Sequence, residues 1–294
     1  VSAEPIGRVI ADLRAGRIRN ALPDNPGLYE LALKRIQGAT VVDATAIYRS
    51  LADNPKPVYL YEDHPCIAPP WMNAAICYAN EHGNVIVMQS TATELAKNER
   101  RELWEPADPV EWDRVRWAVD TCVWIGGHSK ALGGSFQTAG PVHVWRSAVY
   151  ENGEPADLHW VQLVPEYPLE NWEMAHLVLL GALNFMNCRN VELVEPTRER
   201  HERKRLTRLG VRVHTISVFP VGRSTRNGPK AAGTGGGVPL TSVAGHFAHY
   251  GPEYGRGLLF GRLSGRYWIP QHARGAVEHG QSEADYRLVP GGGS

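Results

Sequence analysis

Apolar residues recur every three or four positions over Pro5–Ala15, Gly27–Gln37 and Ala44–Ala52, and each stretch predicts a short helix. Asp24 or Asn25 can cap the second, and Pro26 suits its first turn, where the missing N–H would be unpaired anyway. The period then changes. "KPVYLYED", "NAAICYAN" and "NVIVMQ" are apolar, β-prone runs broken by turn residues. Between the last two, "NEHGN" predicts a hairpin, because Gly83 accepts a positive φ without steric cost. "ATELAKNERREL" is built of helix formers and predicts a helix or helical turn. Strands are predicted again at "DRVRWAVDTCVWI", "PVHVWRSAVY" and "DLHWVQLV", with the glycine-rich "GGHSKALGGSFQTAG" as a loop between the first two.

"PLENWEMAHLVLLGALNFMN" carries the strongest helical pattern in the chain. Pro168 and acids open it, and its apolar residues from Met174 to Phe185 run nearly all round, which predicts a buried central helix. "NVELVEP" predicts a strand, "TRERHERKRLTRLG" a basic helix, "VRVHTISVF" and "DYRLV" further strands. "GRSTRNGPKAAGTGGGVP" has no period and predicts a connector. Runs of strands mixed with isolated helices imply an α+β fold: a mainly antiparallel mixed sheet, flanking helices and that buried helix. The expected organisation is an acidic region 1–165 of helices plus sheet. A basic region 166–290 packs on or completes the same sheet, and Gly291–Ser294 is a tail outside the fold.

Charge changes this picture. The 294 residues balance 31 Lys+Arg against 31 Asp+Glu. Arg198–Arg274 nevertheless holds fourteen Lys+Arg and three Asp+Glu, leaving seventeen against twenty-eight elsewhere. A basic C-terminal third beside an acidic body points to a polyanionic partner for the former. The four cysteines are scattered in apolar contexts without a CxxC pair, which predicts buried free thiols and a reducing cytoplasm. No run is long and apolar enough for a membrane span, and the first residues read as an amphipathic helix instead of a signal peptide.

The basic third ends in "GHFAHYGPEYGRGLLFGRLSGRYWIPQHARG", Gly245–Gly275, which interleaves six aromatics, four arginines and three histidines with one acid, Glu253. If "GRYWIP" is a strand, Arg266 and Trp268 share one face. Guanidinium forks suit phosphate, and aromatic rings stack on unpaired bases. The expected contacts are Arg256, Arg262, Arg266 and Arg274 to phosphate, with Lys204, Arg205 and Arg208 extending the positive surface. Phe247, Tyr250 and Trp268 are the stacking candidates, and His246, His249 and His272 add further contacts. Within the basic run, Glu202 is expected to offset Arg198 and Arg205 at helical spacing.

Two other readings stay open. His246, His249 or His272 could serve a metal-independent ribonuclease, since imidazole titrates near neutrality. Alternatively the acidic body, with Glu62 and Asp63, holds a host protein. His246 and His249 are three apart, on opposite faces of any strand, so no metal is expected. "GGHSKALGG" and "GTGGG" lack the order or context of nucleotide-binding loops, and no cofactor is expected.

The stretch "LLGALNFMNCRNVELVEPTRERHERKRLTRLGVRVHTISV", followed by "GHFAHYG…LLFGRLSGRYWIPQHARG…DYRLV", resembles a group of actinobacterial phage proteins. That group is distantly similar to a phage-encoded inhibitor of type V CRISPR systems that lowers production of the effector nuclease. The resemblance covers roughly Glu170–Val289. It implies a phage protein acting in the cytoplasm of a bacterial host, interfering with host expression or defence. Where the group often has arginine before "GHF", this chain has Ala244, which removes one cation.

Overall fold

The computed structural model describes residues 3–20, 26–53, 66–68, 73–95, 111–128, 136–162, 170–219, 239–243, 246–250, 265–269, 272–274 and 276–282. Two compact units are present: Val1–Asn187 with Leu193–Ser217, and Cys188–Glu192 with Val218–Ser294. The expected strands "KPVYLYED" (with Glu62 and Asp63) and "DYRLV", and the connector over 222–238, lie outside the described residues.

Among the described residues a nine-stranded sheet lies in the first unit, apart from Val191, Glu192 and Val218 at strand ends, which belong to the second. The strands of this sheet are β1 (Arg19–Asn20), β2 (Thr40–Asp43), β3 (Asn73–Ala79), β4 (Val85–Glu94), β5 (Val115–Gly127), β6 (Gln137–Tyr150), β7 (Pro155–Gln162), β8 (Val191–Val194) and β9 (His214–Val218). The order is β1-β6-β5-β4-β3-β2-β9-β8, with β7 also on β6. β3 to β7 pair antiparallel in sequence, whereas β1 on β6 and β2 on both β3 and β9 are parallel. The fold is α+β, as the order of elements predicts.

Among the described residues five α-helices accompany the strands: α1 (Glu4–Arg14), α2 (Pro26–Ile36), α3 (Thr45–Asp53), α4 (Glu170–Met186) and α5 (Arg200–Leu209). The sheet is apolar on both faces, which is why β3 reads as an almost unbroken buried run. Ile76, Met88, Val119 and Val123 pack with α3 and α4, through Ile47, Leu51, Val178, Leu179 and Leu183. Their neighbours Ala75, Cys77, Val87, Cys122 and Trp124 face the other way, onto Val9, Ile10 and Leu13 of α1 and Ile36 of α2. On α4, Ala175, His176, Val178, Leu179, Ala182, Leu183 and Asn184 are buried. The alternation of strand side chains thus sorts one sheet into two cores.

Two expectations are corrected. Ala92–Glu94, read as the start of a helix, continues β4, because Ala92 pairs with Val119 and Glu94 with Trp117. The rest of that expected helix, from 96 onward, lies outside the described residues. The loop expected over 126–140 is strand at both ends, with Gly126 and Gly127 in β5 and Gln137–Gly140 in β6. α1 packs tightly over Gly126: a Cβ there would lie 2.3 Å from Val9 Cγ2, so only glycine fits.

The second unit contains β10 (Pro239–Val243), β11 (His246–Tyr250), β12 (Gly265–Ile269), β13 (His272–Arg274) and β14 (Ala276–Ser282). β13, β10 and β14 form one small sheet, and β11 pairs antiparallel with β12 in another.

Candidate functional site

The basic helix α5 is set by local chemistry at both ends. Glu202 in its first turn accepts the Ala3 backbone N–H at 2.6 Å, which ties the helix to the start of α1. Gly210, at φ 66°, ends it: the Gly210 N–H donates back to the Thr207 carbonyl and the Val211 N–H to the Leu206 carbonyl. Leu206 is buried against α1, where a Cβ on Gly7 would stand 2.4 Å from Leu206 Cδ2. Close approach of the two helices therefore explains a glycine inside α1.

Leu206, Leu209 and Glu202 mark the inward side of α5, and the basic residues between them face out. Arg200, Arg203, Lys204 and Arg208 are exposed and carry no ion pair among the described residues. Arg200, Lys204 and Arg208 follow one another at i, i+4, i+8 and so form a single row, with steps of about 6 Å along the axis. The expected offset of Arg205 by Glu202 is corrected. Arg205 pairs with Glu4 of α1, while Arg198 Nε lies 3.8 Å from Glu202. Arg198 is itself largely buried and donates to the Val213 carbonyl at 2.8 Å.

In the second unit the register of β11 on β12 places Phe247 opposite Trp268 and His249 opposite Arg266. Arg266 and Trp268 share a face. The Arg266 guanidinium lies 4.5 Å from the Phe247 ring centre, and the Phe247 and Trp268 rings meet edge to face at 4.8 Å. Such an edge-to-face pair adds about 0.5–1.5 kcal/mol beyond the area it buries. Phe247 and Trp268 are only 8% and 9% exposed. They pack on each other, and Arg266 covers Phe247. On the opposite face Tyr267 is also buried.

Asn190 holds this strand, although nothing in its local sequence marks it. Its Nδ2 donates to the Trp268 carbonyl at 2.7 Å and to the Phe219 carbonyl at 3.1 Å, and its Oδ1 accepts the Trp268 N–H at 2.9 Å. No local signal announces a bond spanning 78 residues. His246, His249 and Tyr250 lie on β11, and His272 and Arg274 on β13, where they pair with Val243 and Thr241. The side chains of those five, and Arg256 and Arg262 entirely, are outside the described residues.

The displaced titrations sit in the core. Burial, then the neighbouring His143, lowers His176 to about 4, and burial lowers His143. Burial pushes the Cys122 thiol up to about 12 and raises Cys77 well above the usual thiol range. These thiols are therefore protonated and shielded near neutrality. Among the described residues no group of three or more His, Cys, Asp or Glu is placed to hold a metal ion. Among them too, no helix is long and apolar enough to cross a membrane.

Comparison with protein-family models, curated proteins and solved structures finds no match to this chain.

Proposed function

We propose that the protein binds RNA through the outward face of α5. The observation that carries this is the row Arg200, Lys204 and Arg208, exposed and without an acidic partner among the described residues. Its two guanidinium groups match the geometry of phosphate oxygens, and the ammonium between them adds a point charge. Arg203, exposed on the same helix, adds a further positive charge beside the row. Action inside a bacterial host, against its gene expression or defence, belongs to the same proposal and rests on the phage-group resemblance of the C-terminal cassette.

The test is fluorescence anisotropy of a labelled RNA with wild type and with the Arg200→Ala, Lys204→Ala, Arg208→Ala triple variant. Alanine preserves helix propensity, so circular dichroism should be unchanged. Affinity is expected to fall about tenfold or more at moderate salt. Equal binding by the two proteins would overturn the assignment.

A further inference from the structure

Beside the α5 row lies a cavity of about 580 Å³, walled by the segment before α5, one flank of the helix and the turn after it. That volume is in the range of sites that enclose a small organic ligand. Pro196, Leu206 and Val211 give it apolar wall, Arg203 and Arg212 stand at its sides, and Glu195 is the carboxylate. Arg198, largely buried, lines it as well. Glu195 is half exposed, with Arg212 Nε and His214 Nε2 each 3.9 Å from its Oε1, too far for hydrogen bonds. Its oxygens can still accept from a ligand.

We infer that this cavity receives one unpaired nucleobase bearing an exocyclic amine, from a single strand whose phosphates run along the α5 row. The inference rests on the RNA reading above and deepens it. Apolar wall and guanidinium planes hold a base by its faces. A carboxylate accepts from the amine of cytosine. Uracil's one ring N–H lies between two carbonyl oxygens, which the same carboxylate repels. A duplex keeps its bases paired and cannot fill the cavity without losing that pairing. Arg203 borders both the cavity and the exposed side of α5, so a base and its phosphate can be engaged together.

The experiment compares short oligo-C, oligo-U and an RNA duplex by anisotropy at one salt concentration. The proteins are wild type, Thr207→Trp, Glu195→Gln and the α5 triple variant. Thr207 is exposed and lines the cavity, so tryptophan there fills it from a surface position. Wild type should hold oligo-C roughly tenfold more tightly than either other ligand. Thr207→Trp should remove that preference and leave duplex binding within about twofold. Glu195→Gln, which keeps the shape, should narrow the gap between oligo-C and oligo-U. Equal affinity of wild type for all three, still lowered by the triple variant, overturns the cavity inference and leaves the RNA reading standing. A preference untouched by both cavity variants overturns it too. Failure to bind any of the three ligands overturns both.

Discussion

Acidification should unfold this protein partly through one histidine. His176 sits on α4, buried, with its ring centre 5.1 Å from that of Trp145, which in turn meets His143 at 5.5 Å. An unfolded chain protonates this imidazole near its ordinary value of 6.5, but the folded chain resists until about 4. Between those values the unfolded state holds more protons, so stability falls as pH drops through about 6.5 and levels off below about 4. The difference between 6.5 and about 4 corresponds to about 3 kcal/mol, most of it already lost at pH 4.5. Urea unfolding of wild type and His176→Leu at about pH 7.5 and about pH 4.5 measures this. Carboxylates contribute to both proteins, so the difference between them reports His176 together with its coupling to His143. Wild type should lose about 2–3 kcal/mol more than the variant on acidification. Parallel losses in the two proteins would refute the reasoning.

Gly126→Ala should destabilise by about 1–3 kcal/mol, read by thermal or urea unfolding, because the stiff Val9 side chain cannot yield the space. Asn190→Ala should leave the buried Trp268 N–H and carbonyl without their partner, at about 1–3 kcal/mol for each group. Hydrogen exchange at Trp268 should then quicken, and unchanged protection would contradict the role given to Asn190. Gly210→Ala strains a left-handed position and should lower stability by about 1 kcal/mol, with fraying of α5 visible by hydrogen exchange.

The elements legible in the sequence are those whose signal is local. α1, α2 and α3 show helical spacing, and their observed limits fall within a few residues of the predicted ones. β2 escapes a sequence reading because its four residues are too few to display a period, and its parallel partners are distant in sequence. The Ala92–Glu94 segment has helix-forming composition, but pairing along the length of β5 outweighs a propensity of a few tenths of a kcal/mol per residue. In the second unit "PLTSV" and "AVEHGQS" carry polar residues and glycine without alternation, so β10 and β14 offer no pattern to find. The basic run is visible as charge. Which cations remain outward is not, since that depends on Leu206 meeting Gly7 and on Arg205 meeting Glu4. Likewise the aromatics of the cassette are visible, but the mutual burial of Phe247 and Trp268 follows from the β11–β12 register.

The most direct test of the central claim is the salt dependence of RNA affinity, plotted as log affinity against log salt for wild type and the Arg200/Lys204/Arg208 triple alanine variant. Three phosphate contacts on a single strand predict a slope shallower by about 2 in the variant. Identical slopes would mean that the α5 row does not touch phosphate.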